Sequence, residues 1–511
     1  MVCIHWADGR NHVEADWRRR VLLFPNGNNS DNASLYLEHG FEEGKVPDDF
    51  VCCIQFGLVL WNPEDPELYI HHTAHHRFTK EEGDWGFTRF VELRKLRNTP
   101  LDIRGRHLLS QSRRMNITTY IRLVKDETGV LWHNFNSYDS KQETGFVGLK
   151  NQGATCYLNS LIQSLYFTNA FRKVKSLLSS PALVPPLFIA NTTQAVYQIP
   201  TSEEESHSNS AYTLQRLFYQ LQTSNNAVST NELTKSFGWE TKHIFEQQDV
   251  QELSRKLMEK MEEKMKGTAA ENVLPRLFCG KVRTYISCIN VDYESRRVED
   301  FWDIQLNVTG MGNLENSFKN YTEVEVMDGE NQYFAGDEHK LQDAKKGVIF
   351  ESFPEVLHLQ LKRFQYDVEK DAMTKINDNY EFPETFDAAP YLSDDADKSE
   401  SWIYQLHGVL VHSGDLNAGH YYAFIKPTKD GWFYKYDDDR VTKATIREVN
   451  QESFGGIWTN PLGQPTLNAK GNKIPRVMNA YMLVYIRQSR VDSVLLPLTH
   501  DDTPSHLRRL H

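Results

Sequence analysis

The spacing of apolar and polar positions gives the chain two textures. Over residues 15–135, short apolar runs alternate with turn clusters. VLLF runs into PNGNNSDN, ASLYLEHG alternates, FVCCIQFGLVLW reads as a buried strand, and MNITTYIRLVKDETG alternates again before a turn. A period of two marks a strand with one face in a core, and several such strands between turn signals predict an antiparallel sandwich. The polar stretch NSYDSKQETG, residues 136–145, reads as a linker. Beyond it the period changes: Leu158, Leu161, Ile162, Leu165 and Tyr166 fall at i, i+3, i+4, i+7 and i+8. That spacing predicts an amphipathic helix starting near Thr155. A Ser/Thr/Asn-rich stretch over 191–210 reads as a mobile surface insertion, and a second helical pattern runs over 245–265. From about Lys281 the chain turns strand-rich, through KVRTYISCINVDY, FWDIQLNV, VLHLQLKRF, YQLHGVLVHS, YYAFIKP and YMLVYIR. Helices first and strands later predict an α+β domain behind the sandwich. No internal repeat is visible.

Composition narrows the class without deciding it. The 511 residues predict roughly three domains. With 40% hydrophobic and 25% charged residues, the chain can bury sizeable cores. The balance of 57 basic against 69 acidic side chains, net −12, argues against a nucleic-acid binder, which shows a basic stripe. The six cysteines form no C-x-x-C pair, and Cys52 and Cys53 are adjacent, which predicts a reduced, intracellular setting. MVCIHWADGRNHVEADWRRR contains no apolar secretory core, and the apolar run over 50–61 is interrupted by Gln55 and too short for a membrane span, which needs about 20 residues.

The candidate chemistry is nucleophilic. A thiol attacks only as thiolate, and helix N-termini favour the anion. Cys156 stands where the predicted helix begins, behind Gly153-Ala154-Thr155, with Thr155 an acceptable N-cap. The commoner fate of a free cysteine is that of a small buried hydrophobe, and placement alone does not overturn it. A thiolate needs a base. HGVLVHSGDLNAGHYYAF supplies His407, His412 and His420, of which His420 sits at a loop-to-strand junction. A third group must orient that histidine. WFYKYDDDR follows on what reads as the next antiparallel strand, so Asp437, Asp438 or Asp439 can lie beside His420, although a solvated turn is the simpler account of at least one.

GFVGLKNQGATCYLNSLIQSL resembles the cysteine box of the ubiquitin-specific proteases, and HSGDLNAGHYYAFIK with YKYDDDRV resembles their histidine box. The resemblance runs over about residues 145–487 and includes SFGWETKHIFEQQDVQEL and HLQLKRFQYD. EEGDWGFTRF, farther upstream, resembles the MATH (TRAF-like) sandwich that some members carry. The resemblance implies a MATH-like sandwich over 1–135, short of an opening strand, and a papain-like protease of thumb, palm and fingers over 146–488. Residues 489–511 resemble the start of a helix that leads into ubiquitin-like domains.

By position, Cys156 matches the family nucleophile, His420 its base and Asp437 the orienting acid, with Asp438 sharing or backing up that role. Asn151 matches the side chain that completes the oxyanion hole. Asp249, Gln251, Phe364, His412, Asp415 and Tyr421 match residues that line the channel for ubiquitin's Gly-Gly tail and the ubiquitin surface, and Trp239 lies in a segment that shifts around the site in relatives. Asp84 and Trp85 match a peptide-binding segment; a turn-and-core role is the bland alternative. The activity implied is deubiquitination by a thiol protease in the nucleus or cytosol. Its partners would be ubiquitin, ubiquitinated proteins and short substrate peptides, with no cofactor, nucleic acid or membrane. An inert ubiquitin- or peptide-binding scaffold and a protease for another ubiquitin-like modifier are the rival readings.

Many relatives hold the fingers with two C-x-x-C pairs on zinc; here that region offers only Cys279 and Cys288, so no zinc is expected. His71, His72, His75 and His76 in HHTAHH lie in a predicted strand and read as surface histidines rather than ligands.

Overall fold

The computed structural model describes residues 19–27, 31–42, 44–97, 99–172, 195–201, 209–238, 250–268, 270–369, 371–416, 418–460, 463–498 and 502–508, and the backbone alone of 2–8. Trp239, Asp249 and most of the 191–210 insertion lie outside them. The chain forms two compact units, Met1–Ser137 and Tyr138–His511, rather than three. In the second unit one sheet carries a hydrophobic core on each face.

The first unit is a sandwich. Arg20–Phe24, Asn32–Glu38 and Asp84–Glu92 make one sheet; Val2–Asp8, Met115–Val124, Val51–Asn62 and Asp65–Thr79, in that spatial order, make the other. Ile54, Phe56, Leu58 and Leu60 alternate into the core with Leu35, Leu37, Phe78 and Phe90, while Gln55 faces outward, as a period of two requires. Val2–Asp8 runs parallel to Met115–Val124, so a strand does precede Trp17, where none was expected. The four histidines separate by the same period. His71 and His75 lie on the exposed face; His72 packs between Phe87 and Phe90, and His76 is buried against Trp85. Neighbouring strand positions point to opposite faces, so the four cannot converge on one ion.

The second unit begins earlier than the 136–145 linker reading allowed. Ser140–Thr144 is a helix whose N-cap Asp139 accepts from the Lys141 and Gln142 N–H groups and whose C-cap is Gly145 in the left-handed region. Tyr138 Oη donates to the Val441 carbonyl (2.9 Å), and the Val441 N–H donates to Ser140 Oγ (2.9 Å). One helical turn carries no readable period, so only its caps could have shown it.

The main sheet runs Ile304–Asn307, Val356–Lys362, Met478–Arg487, Ile403–Gly414, Gly419–Ile425, Phe433–Asp437, Arg440–Ala444, with Thr385–Asp387 added against Ile403–Gly414. Helices Cys156–Phe167, Ser210–Thr223 and Val250–Met265 contribute to the core on one face. A separate sheet of Glu294–Phe301, Gly280–Cys288, Ala344–Ser352 and Glu325–Met327 forms the finger-like extension. Cys279 and Cys288 lie at opposite ends of one strand, about 30 Å apart at the usual rise, so they cannot share a metal. In the tail, Val491, Val494 and Leu507 pack into the helical-side core.

Candidate active site

The predicted helix starts at Cys156 and ends at Phe167, but its burial differs from the amphipathic expectation. All twelve residues are buried, polar ones included. The donors on the far face are bonded locally, although the Asn159 and Gln163 amide oxygens are buried with no partner among the described residues: Asn159 Nδ2 donates to Asp438 Oδ1 (2.8 Å), Ser160 Oγ to the Cys156 carbonyl (2.9 Å) and Gln163 Nε2 to the Val147 carbonyl (3.2 Å). A buried polar group costs little once bonded, so a pattern that reads as a solvated face here holds a second surface in place.

The turn before the helix is built by Asn151, not by Thr155. Thr155 makes no side-chain cap bond; its Oγ1 accepts from the Gln152 N–H (3.0 Å). Asn151 Oδ1 accepts instead from the Gly153 N–H (2.9 Å) and the Thr155 N–H (3.2 Å). Gly153 adopts φ +139°, a region open to glycine. The turn therefore delivers Cys156 at the helix N-terminus with its Sγ against the sheet, where the Tyr421 N–H donates to it (3.4 Å).

His420 lies on Gly419–Ile425, paired antiparallel with Ile403–Gly414 on one side and Phe433–Asp437 on the other. The adjacency inferred from sequence holds: His420 Nε2 meets Asp437 Oδ1 at 2.6 Å. That bond, together with the neighbouring Cys156 thiol, overcomes burial and pushes the His420 pKa up to about 10. Burial works to raise the Asp437 carboxyl, but the His420 hydrogen bond and the charges of His420, Lys435 and Arg440 outweigh it and hold the group below the usual carboxylate range. His420 thus bridges thiol and carboxylate.

Asp438 has a different task. It sits at φ +50° in the turn to Arg440–Ala444, and its Oδ2 is 4.0 Å from His420 Nδ1, beyond hydrogen-bond range. Its carboxylate accepts from Asn151 Nδ2 (2.9 Å) and Asn159 Nδ2 (2.8 Å), and its carbonyl accepts from the Leu149 N–H (2.8 Å). A side chain at Gly148 would put its Cβ 2.2 Å from that carbonyl oxygen, so only glycine permits the approach. Asp438 therefore stitches the cysteine turn to the sheet. His420, Asp437 and Asp438 are the one set of three potential metal-donor side chains found together among the described residues, and their donor atoms are already committed to one another, to the thiol and to the two asparagines.

The ubiquitin carboxyl-terminal hydrolase family model matches residues 147–485, which contain all of these groups. The chain belongs to the ubiquitin carboxyl-terminal hydrolase family. It is 50% identical over 513 aligned positions to ubiquitin carboxyl-terminal hydrolase 15 of Schizosaccharomyces pombe, covering 96% of this chain and 43% of that protein. It is 47% identical to ubiquitin carboxyl-terminal hydrolase 15 of Saccharomyces cerevisiae, over 96% of this chain and 40% of that protein. Identity to ubiquitin carboxyl-terminal hydrolase 7 of Drosophila melanogaster is 43%, over 87% of this chain and 35% of that protein. The chain thus spans about two fifths of the length of the curated relatives it matches.

Around Cys156 and His420, three of the expected ubiquitin-contact residues come together. The Phe364 and His412 rings meet edge to face at 5.2 Å, and His412 lies 4.7 Å from the Tyr421 ring. Burial, then the charges of Lys375 and His420, drive the His412 pKa down to about 3, so it is neutral there. Asp415 is exposed in the loop before His420. Gln251 stands apart, donating through Nε2 to Asp303, which also pairs with Arg255 (2.8 Å). In the first unit, Asp84 and Trp85 open the outermost strand of the three-stranded sheet. Trp85 is 47% exposed and stacks on His76 at 4.4 Å. Three supporting groups went unforeseen: Asn159, Lys375 and Gly148. Asn159 alone carried a signal, being a polar residue one helical turn beyond Cys156.

Proposed function

We propose that the chain is a deubiquitinating thiol protease that hydrolyses the bond after the C-terminal glycine of ubiquitin. The observation that carries this reading is the chain of contacts from Cys156 through His420 to Asp437 at a helix N-terminus. In this reading the Cys156 thiolate adds to the glycine carbonyl carbon, forming the C–S bond and moving the π electrons onto oxygen. The Cys156 N–H and Asn151 Nδ2 are the donors for that oxyanion. An amide nitrogen carries two N–H bonds, and Asp438 takes one, leaving a second to donate. Losing one such donor typically costs about 100- to 1000-fold in rate. Collapse breaks the C–N bond as His420 gives its proton to the departing lysine amine. His420 then takes a proton from water, which cleaves the thioester and frees the ubiquitin carboxylate. Phe364, His412 and Tyr421 form an aromatic wall beside the thiol, suited to a tail without side chains; Gln251, Asp415, Asp249 and Trp239 belong to the wider ubiquitin contact surface.

The test is reaction with ubiquitin carrying a C-terminal electrophile, beside SUMO carrying the same group and beside Cys156→Ala. A ubiquitin adduct on the wild type alone is expected. No adduct would leave the scaffold reading standing, and an adduct with SUMO only would transfer the activity to another modifier. The Asp84–Trp85 edge favours a second role, addition of a short substrate peptide as an extra strand. Titration of substrate-derived peptides against wild type and Trp85→Ala reads it. Residence in nucleus or cytosol completes the proposal and is read by imaging the tagged chain.

A further inference from the structure

The loop that presents His420 is tight. Gly414 closes it at φ +108°, where a Cβ would come 2.6 Å from the Ala418 carbonyl oxygen, and the Asp415 N–H reaches that oxygen at 3.3 Å. Ser413 pairs with His420 across the hairpin, so the backbone at 412–414 sets the height of the imidazole above Cys156. That backbone is held by its strand partners, with the Gly414 N–H donating to the Val477 carbonyl (3.2 Å), and also by a side chain from a third element. Lys375 Nζ donates to the carbonyls of His412 (3.2 Å), Gly414 (2.8 Å) and Val477 (2.6 Å). Two of these belong to the strand that carries the loop; the third immediately precedes Met478–Arg487, the next strand of the sheet. Burial and the Arg363 charge push the Lys375 pKa down to about 7; in the protonated form all three N–H donors are used, each on a backbone oxygen that side-chain substitution cannot remove.

Lys375 is itself anchored beside the channel. It is the cross-strand partner of Phe364 in the hairpin Phe364–Asp367/Ala372–Lys375. The Phe364 ring packs on His412, so one pair of strand partners grips the same histidine strand twice, by an aromatic face and by an ammonium. Lys375 touches neither the thiol nor Asp437, and no bond of the proposed reaction passes through it.

We propose that Lys375 is a positioning residue for His420: its ammonium ties together the carbonyls of His412, Gly414 and Val477 and so fixes the loop that carries the catalytic base. This rests on the thiol-protease reading above. Displacing a base by about 1 Å costs on the order of 100-fold, whereas the ubiquitin surface is large and tolerates the same shift. The expected signature is therefore a loss in kcat with KM nearly unchanged.

The decisive variant is Lys375→Met, which keeps the length of the stem and removes the donors; Lys375→Gln keeps an amide donor on a shorter stem. Three measurements are made: ubiquitin–fluorophore hydrolysis, thermal unfolding, and the rate of Cys156 alkylation by iodoacetamide against pH. The last needs no ubiquitin and reports how His420 pairs with the thiol. Lys375→Met is expected to lose about 10- to 100-fold in kcat with KM within about twofold. Its alkylation profile should move toward that of His420→Ala, and Lys375→Gln should fall between it and the wild type. A wild-type alkylation profile in both variants overturns the proposal, whatever happens to kcat, because the lysine would then be only a structural tie. If Lys375→Met does not fold, Lys375→Gln decides by the same profile. Should the wild type fail to react with ubiquitin, the proposed function falls, while the alkylation profiles still decide the role of Lys375.

Discussion

The main sheet and the finger sheet of the second unit solve the same problem, keeping strands in register, by opposite means. Val356–Lys362, Gly419–Ile425 and Met478–Arg487 are buried along nearly their whole length, and apolar packing on both faces holds them. In the fingers, Glu294–Phe301 is almost wholly exposed. Surface pairs line that sheet, among them Lys281–Asp300 (3.4 Å), Arg297–Glu299 (2.8 Å) and Lys346–Glu325 (3.4 Å). Exposed pairs contribute about 0–1 kcal/mol each, and among the described residues a small local core there has Cys288, Ala335 and Ala344 as its buried members, while Phe350 of the same sheet packs into the main-sheet core. The difference teaches where precision is placed. Groups that must meet within tenths of an ångström stand in the over-determined sheet, while the fingers keep their register with weak, replaceable contacts.

The sharpest way to break this comparison is Asp437→Asn. It removes the largest cause of the raised His420 pKa, so the imidazolium that persists to about pH 10 should persist only toward the ordinary histidine value, near 6.5. The sign follows from the shift. A raised pKa stabilises the folded state most at pH below about 6.5, and that contribution fades as pH rises toward 10. The variant should therefore lose stability at neutral pH and little above pH 10. It should also lose roughly 100- to 10,000-fold in kcat/KM, by analogy with triads in which the orienting acid is removed. A pH–rate profile and pH-dependent melting check both, and an unmoved alkaline limb would hand the orienting role to Asp438.

Asp438→Ala ranks next and should separate the two aspartates. It frees Asn151 and leaves the Asn159 amide buried without its charged partner, costing about 1–3 kcal/mol. The rate should fall by about 100-fold through the oxyanion donor, but the alkaline limb of the profile should stay where Asp437 sets it.

These two residues also show what was legible in the chain itself. Nucleophilic chemistry and the strand pattern made Cys156 and His420 candidates and set one of Asp437, Asp438 and Asp439 beside the histidine, and the family resemblance then singled out Cys156 and Asp437. Asp438 looked like turn chemistry, or a spare for Asp437, because its partners Asn151 and Asn159 are over 270 positions away. The buried polar face of Cys156–Phe167 was unreadable for a related reason. Asn159 and Gln163 at helical spacing signify solvent unless their acceptors are known. Lys375 gave no signal at all, since its three partners are backbone carbonyls with no residue type to recognise. The first unit showed the reverse. Strict alternation made the sandwich plain, whereas the strand Val2–Asp8 escaped because residues 1–16 were too few to display a period.

The smallest expected effects lie in the fingers, and they test the other half of the comparison. Cys288 is buried beside Ala335 and Ala344, and nine strand positions separate it from Cys279. If the finger sheet keeps its register by packing and surface pairs alone, Cys288→Ser should cost only about 1 kcal/mol, for a small polar atom placed in an apolar pocket. Hydrolysis of a ubiquitin–fluorophore substrate should stay within about twofold. Incubation with 1,10-phenanthroline or EDTA should move the melting temperature of neither protein, because no set of thiolates can gather there to be stripped of a metal. A chelator-induced drop in melting temperature, together with a Cys288→Ser defect much larger than packing explains, would mean that the fingers hold a specific polar or metal centre after all. The division between an over-determined main sheet and a loosely held extension would then fail at the place where it predicts the least.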